Sequence, residues 1–190
     1  MEKIQKVSRY FRWFFTALII LTPLFSALCW YFFEKLIPAA SQTQLGFHAA
    51  AISPAVQVAN KLPLISEITA QTKMLGFLVP LIPDGIFMLA CFLLAQLFRL
   101  YEKGQIFLAQ NVRCIRNLGL LLLIKPVLLL VYETLLTFIL TMNNLVGERL
   151  IKVSAGTDQV GEIALALVIL LISWIMDEGR KLKEQEDYII

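Results

Sequence analysis

The sequence predicts an all-α integral membrane protein, with four transmembrane helices and an amphipathic cytoplasmic connector helix between the second and the third. Three observations lead there. Of the 190 residues, 58% are hydrophobic and 16% charged, with a mean hydropathy of +0.74, against an apolar share of about 45–50% in soluble domains. Long apolar runs recur at residues 13–33, 74–98, 118–142 and 160–176, each close to the ~20 residues that cross a hydrocarbon core of about 30 Å. Basic residues flank these runs. The whole chain, 1–190, reads as one membrane domain, with loops at 34–73 and 143–159, a connector at 99–117 and a tail at 177–190.

The formal charge of +3 is too small and too scattered for direct binding of nucleic acid. Cys29, Cys91 and Cys114 are odd in number and lie in or beside apolar segments, without a disulfide or metal spacing. The first run follows Lys3, Lys6, Arg9 and Arg12. It is longer than the apolar core of a signal peptide and ends in Trp30-Tyr31-Phe32-Phe33, so it reads as a retained helix with aromatic rings at both interfaces.

Residues 34–73 contain Pro38, Pro54 and Pro63 and form a loop, in which Ser53-Pro54 looks like the start of a short helix ended by Pro63. His48 is the only histidine and has no second one to complete a metal site. The second run is interrupted by Pro80, Pro83, Asp84 and Gly85. Either an unbroken span kinks there, placing Asp84 at depth, or the helix starts near Pro83 with Asp84 in its first turn. An ionisable group at depth is a functional suspect.

Gly104 is placed to end the second helix in a left-handed conformation. Beyond it, Leu108, Val112, Ile115 and Gly119 share one helical face, and Gln110, Arg113, Arg116 and Asn117 occupy another. This segment lies along the headgroups, extends the third helix or covers a partner. In the third run, Lys125 stands about two turns from one end, near enough to snorkel to headgroups without a buried partner. Counted from the same side, Glu133 and Asp84 of an unbroken second span fall at matching depth, where two carboxyls share a proton or hold a cation or a basic group. Glu133 alone reads as protonated and hydrogen-bonded within the bundle.

The fourth run has Glu162 near its entrance and passes into a tail of mixed charge, a solvated helix whose acids suit Arg113 and Arg116. Eleven Lys and Arg residues lie in the N-terminal segment, the connector and the tail, and five in the two loops. Positive-inside therefore puts the connector and both termini in the cytoplasm. The second and fourth runs end alike, in Tyr101-Glu102-Lys103-Gly104 and Asp177-Glu178-Gly179-Arg180-Lys181, an echo too short to argue a repeat.

Gly104, Ile106 and Phe107, then Asn111 and Arg116-Asn117-Leu118-Gly119, together with the tail from Asp177 to Glu186, resemble domain-of-unknown-function family 2975. The resemblance implies a small four-span bacterial inner-membrane protein. The family has no established activity, and its members are often encoded beside a Cro/CI-like helix-turn-helix regulator, which implies a cytoplasmic partner. Gly104, Phe107, Asn111, Arg113 and Arg116 are thus the candidate docking residues, and Asp84, Lys125 and Glu133 the candidate intramembrane polar ones.

Three function classes follow. The first is a non-enzymatic sensor or regulator that docks a partner. The second is a transporter or channel component working through Asp84 and Glu133. The third, an enzyme, has no Ser/His/Asp arrangement, phosphate loop or metal cluster behind it, so neither catalysis nor a cofactor is expected. The bilayer is the one certain surrounding of such a chain, and the sequence leaves homo-oligomerisation open.

Overall fold

In a computed structural model, residues 2–31, 74–75, 78–105, 108–144 and 157–187 are described. Their regular structure is four long helices, α1 (Glu2–Tyr31), α2 (Leu81–Glu102), α3 (Ala109–Thr141) and α4 (Thr157–Asp187), with no strand among the described residues. All four are long and apolar enough to cross a membrane. The short helix expected after Ser53-Pro54, the loop around His48 and most of the loop at 143–159 lie outside the described residues.

α1, α3 and α4 begin before the apolar runs that announced them, and α2 and α4 end beyond theirs, because a helix continues into charged segments where backbone bonding persists. The connector helix is the first part of α3, and the tail continues α4. Of the two readings of the second run, the later start holds: α2 begins at Leu81 with Asp84 in its first turn. Pro83 costs little there, since the first amides of a helix have no intrahelical acceptor.

The apolar surface is turned outward, as lipid requires. Trp13, Leu21, Leu24, Val127, Leu167 and Trp174 are all more than half exposed, whereas the interior is sparse and rich in small or polar groups: Ser8, Asn111, Thr137, Ala166 and Ser173 are buried. Because lipid is as apolar as leucine, helix association rests on close packing and interhelical hydrogen bonds.

Contacts divide the chain into two units. The first comprises Met1–Ile20, Ile86–Pro126 and Gly156–Ile190. Here α1 and α2 run antiparallel, since Arg9 and Arg12 reach Glu102 while Phe11 and Phe15 stack on Phe98 at centroid separations of 5.0 and 5.7 Å. Between α3 and α4 the approach is close enough that a Cβ on Gly119 would lie 2.8 Å from the Leu170 side chain and 3.2 Å from its backbone nitrogen.

The second unit comprises Leu21–Gly85 and Val127–Ala155. Its core on α3 includes Tyr132, Leu136, Ile139 and Leu140. The hydroxyls of Thr134, Thr137 and Thr141 each donate to the carbonyl one turn back, which satisfies them inside an apolar helix.

Candidate functional site

The turn between α2 and α3 is built by Gly104 and Asn111. Gly104 has φ +72°, donates to the Tyr101 carbonyl, and is followed by Gln105, which donates to the carbonyl of Leu100. This is a Schellman end, in which a left-handed residue without a Cβ lets the chain reverse and bond the last carbonyls. Asn111 is fully buried, and its Nδ2 donates to the Gln105 carbonyl at 2.6 Å. Both residues therefore shape the turn. Gly179, its counterpart in the sequence echo, lies inside α4, so the two helix ends differ.

On the connector part of α3, Val112, Ile115 and Gly119 are buried, whereas Gln110, Arg113, Arg116 and Asn117 are exposed. The two faces fall where the periodicity puts them. Leu108 departs, at 38% exposure, because it precedes the first turn of α3. Phe107 lies outside the described residues.

Several charges of this unit are paired with one another. Glu102 takes Arg9 at 2.8 Å and Arg12 at 3.1 Å. In the tail, Arg180 pairs with Asp177 at 3.1 Å and with Glu184 at 2.6 Å, and Lys181 with Glu178 at 3.1 Å. Asp177, Glu178 and Glu184 thus pair within their own helix instead of with Arg113 and Arg116, because partners three and four residues apart already face each other. Among the described residues, neither Arg113 nor Arg116 is in an ion pair.

Lys125 also differs from expectation. It has a partner in the protein, since its Nζ meets Glu162 Oε1 at 2.6 Å. Its stem therefore reaches a neighbouring helix, where the sequence alone points it to headgroups. Asp84 accepts a hydrogen bond from Ser26, and Tyr132 lies within electrostatic reach of both Asp84 and Glu133.

Residues 57–190 match the model of a family described as "Protein of unknown function (DUF2975)". The chain belongs to this family. The match takes in α2, the turn, α3 and α4, and leaves all of α1 before it. No curated protein matches the chain, nor does any solved structure.

Within this DUF2975 chain, sequence reasoning overlooked four partners. Glu102 carried a signal, since Arg9 and Arg12 stand one turn apart at the same end of the first run. Glu162 carried a weaker one, as a lone acid at the edge of an apolar run with a lone lysine in the preceding helix. Ser26 and Tyr132 carried none, because polar side chains of this kind are ordinary in apolar helices.

Proposed function

We propose that this DUF2975 protein is a non-enzymatic regulatory protein of the bacterial inner membrane, with both termini and the α2–α3 connector in the cytoplasm, where the connector docks a soluble partner. One observation carries the reading. Arg113 and Arg116 stand on an exposed face whose opposite side is packed, and among the described residues neither is in an ion pair, whereas Arg9, Arg12 and Arg180 are. A guanidinium presents a planar fork of donors suited to carboxylates, so the fitting partner offers an acidic surface. The family's gene context makes a helix-turn-helix regulator the first candidate.

The test is co-purification of that regulator with the membrane protein. Arg113→Ala with Arg116→Ala is expected to weaken recovery at least about tenfold, the equivalent of one charge-assisted hydrogen bond, and to change the regulator's reporter output. Unaltered recovery and output would remove this reading.

A further inference from the structure

In the first unit, two guanidiniums of α1 share one carboxylate of α2. Arg9 Nε donates to Glu102 Oε1 at 2.8 Å, and Arg12 Nη1 lies 3.1 Å from Oε2. The second contact is an ion pair off hydrogen-bond geometry, since Oε2 is buried without a hydrogen-bond partner. A guanidinium carries five N–H donors, so four on Arg9 and five on Arg12 are left without an acceptor among the described residues. The charge is unmatched as well. Lys6 is exposed one turn further out on α1, and Lys103 is exposed beside Glu102, whereas Glu102 carries one negative charge.

These guanidiniums stand where a helix meets lipid headgroups. The uncharged run of α1 begins at the next residue, Trp13, whose ring centroid lies 5.9 Å from the Arg12 guanidinium carbon. Trp13 and Tyr10 are 65% and 78% exposed, as rings at a membrane interface are. Phe14 and Ile20, further along the run, are exposed too and offer a surface to acyl chains. The end of α4 is a contrast. Beyond its exposed Trp174, Arg180 pairs with Asp177 and Glu184, and Lys181 with Asp177 and Glu178, so the charge there is met one turn away. Beside Trp13 it is not.

We propose that Arg9 and Arg12 form a binding site for the headgroup of an anionic phospholipid, a phosphodiester that carries no amine. Its two unesterified oxygens accept from both guanidiniums, whose planar forks suit phosphate, and its acyl chains lie along Phe14 and Ile20. Glu102 holds the two arginines in place. An ethanolamine headgroup brings its own ammonium towards Lys6 and Lys103, so the amine-free lipid is preferred. Exposed Trp13 and Phe14 favour a lipid over a soluble acidic protein, which would have to cover them from the hydrocarbon side. The site uses neither Arg113 nor Arg116 and stands or falls apart from the docking face.

Trp13 itself reports on the site. With Trp30→Phe and Trp174→Phe leaving it the sole tryptophan, the full chain is reconstituted in phosphatidylcholine vesicles. Its fluorescence is then quenched by brominated phosphatidylglycerol or brominated phosphatidylethanolamine at equal mole fraction. The glycerol lipid is expected to bind there about fivefold more strongly, the equivalent of one basic residue's attraction at a membrane surface. Arg9→Gln with Arg12→Gln is expected to bring the two lipids to parity. A companion chain with Trp174 as sole tryptophan is expected to show no preference, because the charges beyond it are balanced. Equal quenching of Trp13 by the two lipids overturns the proposal and leaves the guanidiniums to a soluble acidic partner. A preference that survives the double substitution, or one of the same size at Trp174, also overturns it. So does loss of the preference in inorganic phosphate at matched ionic strength, which would give the site to a soluble phosphate. Should the double substitution fail to fold, adding Glu102→Gln removes the orphaned carboxylate, and a preference equal to wild type in that chain overturns the proposal.

Discussion

Lys125 and Glu162 show what one residue means in an apolar solvent. Their side chains are 31% and 33% exposed, in helices long and apolar enough to cross a membrane, where lipid does not screen charge as water does. The ammonium and carboxylate are therefore each other's principal support. Lys125→Met alone should cost about 2–3 kcal/mol, below the roughly 3–5 kcal/mol of a fully enclosed pair, and combining it with Glu162→Gln should recover most of the loss. Denaturant unfolding in detergent across this double-mutant cycle measures the coupling, and additive losses would show that the two side chains act independently. The sequence carried only a weak signal of the pair, because the pairing depends on the register of α3 against α4, which hydropathy leaves open. Asn111 is the opposite case: the family resemblance marked it for attention, and only its burial and its bond to Gln105 show that its work is to hold the turn.

At the scale of the helices, the contact of α3 with α4 depends on the missing side chain of Gly119. The sequence placed this glycine correctly on the face of Val112 and Ile115, because that pattern is local and helical. It said nothing of Leu170, which is what makes the glycine necessary. Gly119→Ala forces Leu170 to shift and should cost about 1–3 kcal/mol by overpacking. Gly119→Leu should separate the two helices. Cysteine pairs on α3 and α4 near this crossing should lose crosslinking in Gly119→Leu, and undiminished crosslinking would show that the close approach is not needed. Hydropathy set the start of α3 and the end of α4 too short for the same reason that it found the helices: it reports where lipid suits the chain, whereas the helical bonding of α3 and α4 runs on into the connector and tail. The start of α2 had two readings, and the backbone chose the one that puts Asp84 in the first turn.

For the whole molecule, the four spans were legible because composition and run length are global signals, and the family match over residues 57–190 agrees with the resemblance drawn from the connector and tail. Sidedness rests on the distribution of lysine and arginine. In a variant lacking Cys29, Cys91 and Cys114, an impermeant maleimide should label Asn143→Cys in intact spheroplasts and Gln110→Cys only after permeabilisation. The reverse pattern would invert the topology and put the exposed face of α3 on the wrong side for a cytoplasmic partner.

The docking face is tested most directly by a photo-crosslinking residue at Asn117, which is exposed beside Arg116 and leaves both arginines in place. In living cells it should capture the helix-turn-helix regulator, and the adduct should disappear when Arg113 and Arg116 are replaced by alanine. Adducts with lipid or with other copies of this chain alone would contradict a docking role and leave the connector as the structural boundary of a membrane bundle.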